Sequence, residues 1–291
     1  MPRHGTPALI VFDSGLGGLT VLRALREAVP EARVTYIADD AFFPYGAKAD
    51  DVLIARLHEV LGGAIAEFAP DAVVIACNTA TTIGLSALRV AHPLPFIGTV
   101  PAVKPAALLS RSRLISVLGT PATVARDYTR ALIAAHGEGC DYTLVGATEL
   151  AALAEAAMRG DEASDAAIAA EIAPCFVERD GRRTDVIVLG CTHYPLLIAR
   201  MEALAPWPVT WLDPAPAIAR RTANVLAELG FVVGVGASRP RGEIRFTSGK
   251  APPASLGALL DFCGLGAPSP AEEGTVPRLQ NPVSSTLESP R

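Results

Sequence analysis

Two cysteines of this sequence stand in matching contexts. The stretches from Asp71 to Thr79 and from Asp185 to His193 each contain an aspartate, five small or apolar residues, a cysteine and two polar residues. The cysteines, Cys77 and Cys191, are 114 positions apart, which indicates two related halves of the chain. Each is predicted to follow a strand and to open a helix, whose N-terminal dipole favours a thiolate. We therefore expect both thiols to have lowered pKa values, as proton transfer near pH 7 requires.

A pair of thiols is suited to inversion at a carbon atom. If the two halves face each other, one thiol can remove a proton from a ligand and the other can return a proton to the opposite face. A cysteine hydrolase needs one thiol with a histidine base and an oxyanion hole, so the second thiol argues against hydrolysis. His193, two residues after Cys191, is either a partner of that thiol or a structural residue at a helix start.

The other cysteines and the lysines suggest no further chemistry. Cys140, Cys175 and Cys263 lie in contexts typical of buried small residues, and the five cysteines form no CxxC pair. The sequence therefore predicts neither a disulfide framework nor a metal site. A pyridoxal cofactor is disfavoured because Lys104 has no phosphate-binding context, and we expect no cofactor.

A glycine-rich loop, Asp13 to Gly18, follows the first predicted strand. It has neither the GxGxxG spacing of dinucleotide sites nor the GK[ST] of a P-loop. Its N–H groups can hold a small carboxylate, while Asp13 can accept from an ammonium group, so we predict a pocket for a zwitterion. Short polar residues at neighbouring strand ends could each simply cap a helix, but together they extend this pocket. They are Asn78, Thr79, Thr120, Thr123 and Thr192, with Pro44-Tyr45-Gly46 as a turn over the pocket.

These residues lie at the ends of predicted strands. Short runs of Val, Ile and Leu alternate with longer segments of helical period, which predicts an α/β fold with mostly parallel sheets between helices. In such sheets, ligands bind beyond the carboxyl ends of the strands. The predicted strands are 9–12, 34–38, 72–76, 114–118, 143–145, 186–189, 209–212 and 244–246, and the predicted helices are 18–29, 51–68, 123–136, 163–178, 195–205, 215–229 and 255–263.

The predicted organisation is two pseudo-symmetric αβα lobes with the active site between them. Residues 1–99 and 207–265 would form the first lobe, and residues 100–206 the second. After Gly264 the composition changes to Pro, Ser, Gly and Glu, so residues 266–291 are predicted to be a disordered tail.

Composition excludes several classes of function. With 291 residues, of which 50% are hydrophobic and 19% charged, the chain can build a core and is not disordered as a whole. Its 25 basic and 30 acidic residues give a net charge of −5 without a basic stripe, which argues against a nucleic-acid partner. No apolar run approaches the roughly 18 residues that span a bilayer, so we expect a cytoplasmic protein with no membrane partner.

The sequence resembles the glutamate racemases of the aspartate/glutamate racemase superfamily from about Leu9 to Cys263. As a set, the shared motifs are far more specific than either cysteine motif alone. Lys250 is a departure, because many relatives have Asp after the last motif. The motifs are FDSGLGGLTV at 12–21, ADD at 38–40, FPYG at 43–46, ACNTAT at 76–81, GTPAT at 119–123, GCTHYP at 190–195, DPA at 213–215 and FTSG at 246–249.

The resemblance implies cofactor-independent interconversion of L- and D-glutamate, which supplies D-glutamate for peptidoglycan. It implies that Cys77 and Cys191 are the two acid/base thiols, assisted by Asp13 and His193 respectively. It also implies an acidic residue in the second lobe, for which we prefer Glu155 to Glu149. The residues that it places around the substrate are Asp13, Ser14, Tyr45, Gly46, Asn78, Thr79, Thr192 and His193.

Two alternatives stay open at this point. The first is a racemase of aspartate or another amino acid. The second is a non-catalytic protein that binds an amino acid for regulation.

The partner that we predict is a small-molecule substrate, glutamate, and a homodimer is the candidate assembly.

Overall fold

Strands and helices alternate along the chain. The structure, a computed structural model, describes residues 5–137, 139–234 and 240–266. Its strands are β1 (Ala8–Asp13), β2 (Arg33–Ala38), β3 (Ala72–Ile75), β4 (Phe96–Gly98), β5 (Leu114–Gly119), β6 (Asp141–Gly146), β7 (Glu178–Arg179), β8 (Arg182–Arg183), β9 (Val186–Gly190), β10 (Thr210–Leu212), β11 (Gly242–Phe246) and β12 (Leu265–Gly266). Its helices are α1 (Leu19–Ala28), α2 (Asp50–Phe68), α3 (Asn78–Ala91), α4 (Val103–Leu109), α5 (Pro121–Val124), α6 (Asp127–His136), α7 (Leu150–Arg159), α8 (Asp165–Ile172), α9 (Ile198–Leu204), α10 (Ala215–Glu228) and α11 (Gly257–Cys263).

The strands form two main sheets. The first has the order β12-β11-β2-β1-β3-β4 and the second the order β10-β9-β5-β6. The pairings within both sheets are parallel, while β7 and β8 form a separate antiparallel pair. The predicted α/β fold, with two lobes and mostly parallel sheets, is confirmed.

The apolar core covers both faces of each sheet. In β1, Leu9 and Val11 pack in a cluster with α1 and α10, whereas Ile10 and Phe12 pack in a second cluster with α2 and α3. The residues of β9 alternate between two clusters in the same way. Strands that are covered on both faces must be apolar throughout, which explains why the runs of Val, Ile and Leu mark them.

The boundary between the lobes differs from the predicted one. β10 pairs with β9 in the second sheet, whereas the prediction returns the chain to the first lobe at residue 207. The chain leaves the second sheet only after Leu212, and α10 then packs against α1 through the first core cluster. A strand of only three residues has the same pattern at the edge of either sheet, so the sequence does not assign it to one of them. Of the predicted tail, Gly266 belongs to β12, and residues 267–291 lie outside the described residues.

Two predicted helices are shorter in the structure. The predicted helix 123–136 is divided into α5 and α6, because Arg126 has an extended backbone with φ −76° and ψ 141°. The predicted helix 163–178 ends as α8 at Ile172, before a 3-10 turn that contains Pro174. Proline lacks the N–H that a continued helix needs. The predicted set also lacks α4 and α7. No helix in the described ranges is long and apolar enough to cross a bilayer.

Candidate active site

The two matching cysteines reach one cavity from different sheets. Cys77 follows β3, which ends at Ile75, and Cys191 follows β9, which ends at Gly190. Both line the same cavity and both are buried, with exposures of 6% and 7%. Because β3 is the neighbour of β1 and β9 the neighbour of β5, the thiols occupy corresponding positions in the two sheets. Two thiols from two lobes therefore line one cavity.

This cavity is small, with a volume of about 30 Å³. On this measure, about 10–15 Å³ is enough for one water molecule, whereas pockets that hold small organic ligands measure roughly 300–1,000 Å³. The walls must therefore move apart before an amino acid can enter. The lining residues are Ser14, Phe43, Pro44, Tyr45, Gly46, Cys77, Asn78, Thr79, Thr120, Ala151, Cys191, Thr192 and His193.

Asn78, the first residue of α3, has a polar side chain without a partner. It is 2% exposed and lines the cavity, and neither its Oδ1 nor its Nδ2 has a hydrogen-bond partner. An unpaired buried polar group costs roughly 1–3 kcal/mol, so such a group in a native protein calls for a functional explanation. The amide carries both a donor and an acceptor. It can therefore bind a polar ligand that enters the cavity.

Three threonine hydroxyls form a chain beside the cavity. The Oγ1 atoms of Thr79 and Thr120 are 3.1 Å apart, and those of Thr120 and Thr123 are 3.0 Å apart. Thr79 and Thr120 line the cavity, while Thr123 is fully buried behind them. Thr120 also caps α5 by accepting from the N–H of Thr123 at 3.2 Å. Thr120 is thus both a helix cap and a lining residue.

The turn from Phe43 to Gly46 covers one side of the cavity. The hydroxyl of Tyr45 donates to Oδ2 of the fully buried Asp39 at 2.6 Å. The ring of Phe43 packs against that of His193, with 5.4 Å between the ring centroids. The turn is therefore held to the first lobe by Asp39 and contacts the second lobe through His193.

Asp13, at the end of β1, lies behind the cavity wall. Its Oδ1 accepts from the N–H of Gly15 at 2.8 Å, and its Oδ2 accepts from the hydroxyl of Thr192 at 3.0 Å. Burial raises the pKa of Asp13, against the opposing effects of the charge of His193 and of these two hydrogen bonds. The bond to Thr192 joins the first lobe to the second.

Cys77 is held as a neutral thiol. Burial and the negative charge of Asp13 raise the pKa of Cys77 to about 12. The opposing contacts are weaker: the N–H of Ala80 donates to the sulfur at 3.4 Å, and the thiol lies 3.6 Å from Oγ of Ser14. The predicted lowering of this pKa is therefore wrong. Desolvation in a closed cavity outweighs the stabilisation that the start of α3 offers to a thiolate.

Cys191 has different neighbours. Its Sγ lies 3.8 Å from Nδ1 of His193, whose Nε2 lies 2.8 Å from Oε2 of Glu155. Burial alone would lower the pKa of His193, but hydrogen bonds to Cys191 and Glu155 raise it well above its usual value. Burial alone would raise the pKa of Glu155, but His193, the N–H of Leu16 and Arg159 together lower it. His193 and Glu155 are thus a charged pair beside the sulfur.

The glycine-rich loop brings the lobes into contact. The N–H of Gly15 donates to Asp13, and the N–H of Leu16 donates to Oε2 of Glu155 at 2.9 Å. These N–H groups therefore bind carboxylates of the protein instead of the ligand carboxylate predicted for them. A Cβ atom at Gly17 would lie 2.4 Å from Nδ1 of His193, so a larger residue there would displace the ring.

Comparison with known proteins identifies the family. A family model described as Asp/Glu/Hydantoin racemase matches residues 18–222. The chain belongs to this racemase family. Two curated relatives are named "Glutamate racemase": the one from Brucella canis is 56% identical to this chain, and the one from Brucella anthropi is 55% identical. Each match extends over 219 residues, which is 75% of this chain and 79% of the relative.

Solved racemase structures share the two-lobed fold. The glutamate racemase of Escherichia coli, in complex with L-glutamate and the activator UDP-MurNAc-ala, is 33% identical with a TM-score of 0.78, over 90% of this chain and 96% of that one. The glutamate racemase of Thermus thermophilus, in complex with beta-chloro-D-alanine, is 27% identical with a TM-score of 0.68, over 92% of this chain and 99% of that one.

The structure of this racemase-family chain brings most of the predicted site residues to the cavity wall. Asp13, Thr123 and Glu155 lie behind the wall, and Glu155 contacts His193. Glu149, by contrast, does not contact His193. It lies just before α7, and its N–H donates to the carboxylate of Glu171. Cys191 is followed by a 3-10 turn, Tyr194–Leu197, instead of the predicted α-helix start.

Some lining and supporting residues are absent from the predicted set. Phe43 and Ala151 line the cavity, but apolar side chains in a turn or helix give no chemical signal in a sequence. Arg159 contacts Glu155, and their spacing of four residues, which is typical of ion pairs on a helix, is the signal that could have indicated this pair once α7 had been predicted. In the parts of the chain that the structure describes, no group of three or more His, Cys, Asp or Glu side chains is arranged to hold a metal ion.

Proposed function

We propose that this chain interconverts L- and D-glutamate without a cofactor, by proton transfer between the α-carbon and the thiols of Cys77 and Cys191. The observation that carries the proposal is that one thiol from each lobe lines the same cavity. Relatives named glutamate racemase support the choice of substrate, and one of them is solved with L-glutamate bound.

The proposed step uses one thiolate and one thiol. The thiolate removes the α-proton, so that the Cα–H bond breaks, an S–H bond forms and the electron pair stays on the α-carbon and its carboxylate. The other thiol then gives its proton to the opposite face of the α-carbon. The raised pKa of Cys77 suits it to be the first donor, and Cys191, which can accept a hydrogen bond from Nδ1 of His193, is the first acceptor. The reverse reaction uses the opposite protonation states.

Preorganised polar groups would stabilise the carbanion, because the reaction has no extended electron sink. We infer that Asn78 binds substrate, since its buried amide has no protein partner. Asp13 would assist Cys77, and His193 with Glu155 would assist Cys191. The remaining proposed contacts with substrate come from the cavity wall, with Thr123 behind it, and are Ser14, Pro44, Tyr45, Gly46, Thr79, Thr120 and Thr192.

In the cell, the reaction would supply D-glutamate for peptidoglycan synthesis. We place it in the cytoplasm, where a reducing environment keeps both thiols free. A homodimer is the proposed assembly, supported by the neighbouring apolar side chains of Leu108 and Leu109, which are 80% and 52% exposed. Light scattering of the purified protein tests this assembly.

Proton exchange in heavy water tests the reaction. Purified protein is incubated with L- or D-glutamate in D₂O without added cofactor, and both enantiomers are followed by NMR and chiral chromatography. We expect the product enantiomer to carry deuterium at the α-carbon, while the remaining starting enantiomer keeps its proton at early times. Inversion of aspartate but not glutamate would identify the other racemase, and glutamate binding without exchange would identify a non-catalytic protein.

A further inference from the structure

Arg159 is a charged residue that the proposed proton transfer does not use. It lies one helical turn after Glu155 on α7, and its Nη2 donates to Oε1 of Glu155 at 2.9 Å. The other carboxylate oxygen, Oε2, accepts from the N–H of Leu16 at 2.9 Å and lies 2.8 Å from Nε2 of His193. The two oxygens therefore have separate partners: one is bound by Arg159, and the other joins the first lobe to the histidine beside Cys191.

We propose that Arg159 is a positioning residue of this site, which fixes the Glu155 carboxylate so that Oε2 serves His193 and, through it, Cys191. A glutamate side chain has several rotatable bonds, and holding it in one rotamer costs conformational entropy. A charge-assisted hydrogen bond from an arginine fixes both the position and the plane of the carboxylate. This inference rests on the proposed racemase reaction.

The charges around Glu155 show why the tether matters for its protonation state. His193 faces it from the loop after β9, Asp13 from the end of β1 and Tyr36 from β2, and all three are buried. The negative charge of Asp13 disfavours a second negative charge on Glu155, whereas the positive charges of His193 and Arg159 favour it. Since the side chain of Arg159 is 32% exposed, solvent screens its contribution, and the expected effect is moderate.

The test compares R159Q with R159K by the pH profile of glutamate racemisation. In R159Q, Glu155 loses a positive neighbour and takes up a proton at higher pH. We therefore expect the acidic limb of kcat/KM to move upward by about half a pH unit. We expect kcat at neutral pH to fall by about three- to tenfold, with KM nearly unchanged, because Arg159 does not line the cavity. R159K keeps the positive charge, so the acidic limb of its kcat/KM profile should stay at the pH found for the unaltered protein.

R200Q is the matched control, because Arg200 lies on α9 of the same lobe and pairs with Asp165 away from the cavity. It should behave as the unaltered protein does. A fall in the melting temperature of R159Q without movement of the acidic limb would show a merely structural role and overturn the proposal. R159K supplies a second test, since a limb that moves as far in R159K as in R159Q also contradicts it. Racemisation by the unaltered protein is measured first, and its absence would contradict the proposed function itself. If the unaltered protein is active but the acidic limb of kcat/KM does not move in R159Q, only the proposed role of Arg159 is contradicted.

Discussion

The two thiols occupy corresponding positions in the two lobes but have opposite electrostatic surroundings. Cys77 caps α3, and burial together with the negative charge of Asp13 raises its pKa to about 12. Cys191 precedes a 3-10 turn and lies 3.8 Å from His193, which Glu155 holds. The repeated strand end fixes where each thiol lies, while the residues around it decide how it holds its proton. This arrangement, with one neutral thiol and one thiol beside a charged pair, suits a reaction in which one thiol removes a proton and the other donates one.

The carboxylate that supports each thiol is bound by the opposite lobe. Asp13 belongs to the first lobe and accepts from Thr192 of the second, whereas Glu155 belongs to the second lobe and accepts from Leu16 of the first. Separation of the lobes would break both bonds. Since the closed cavity is too small for an amino acid, substrate entry and the arrangement of the two carboxylates are coupled.

The largest effect is expected from removal of either thiol. In C77S and C191S, we expect the racemase activity to fall by about 10²–10⁴-fold or more, because a serine hydroxyl is a much weaker acid than a thiol and is scarcely ionised at neutral pH. Substrate should still bind, as calorimetry with glutamate can check. C140S is the control, since Cys140 is a partly exposed thiol outside the cavity. Near-normal activity in either active-site variant would remove that thiol from the mechanism.

A smaller but still large effect is expected from a methyl group at the contact between the lobes. In G17A, the added Cβ would lie 2.4 Å from Nδ1 of His193 and would displace the ring from Cys191 and Glu155. We expect kcat to fall by about 10²-fold, as misplacement of a catalytic group by about 1 Å can produce. G63A is the matched control, because a Cβ at Gly63 in α2 meets no atom within 4 Å. Equal activity of the two variants would show that the close approach of the loop is not needed.

The protonation state of Cys77 can be measured directly, in an experiment that does not depend on the rate. Thiolates absorb near 240 nm, so the difference between pH titrations of the unaltered protein and C77S reports this one group. With a pKa of about 12, about 1% of Cys77 is ionised at pH 10, and the difference should stay flat up to that pH. A clear rise below pH 9 would show that burial and the charge of Asp13 do not hold Cys77 as a neutral thiol.

Local patterns account for the parts of this site that the sequence predicts. The buried parallel strands and the common position of Cys77 and Cys191 follow from apolar runs and from one repeated spacing. The raised pKa of Cys77 does not, because it depends on how completely the other lobe closes the cavity and on the charge of Asp13, 64 positions earlier in the chain. The sheet that β10 joins is equally hidden, since its pairing with β9 is a choice between two similar edges.

The most direct test of two opposed thiols is the α-deuterium isotope effect on the residual activity of C77S and C191S, measured from each enantiomer of glutamate. In each variant, proton transfer at the replaced residue becomes the slow step. A large isotope effect on kcat/KM should therefore appear only from the enantiomer whose α-hydrogen faces that residue. The account predicts that the two variants show the large effect with opposite enantiomers. The same enantiomer in both variants would contradict it.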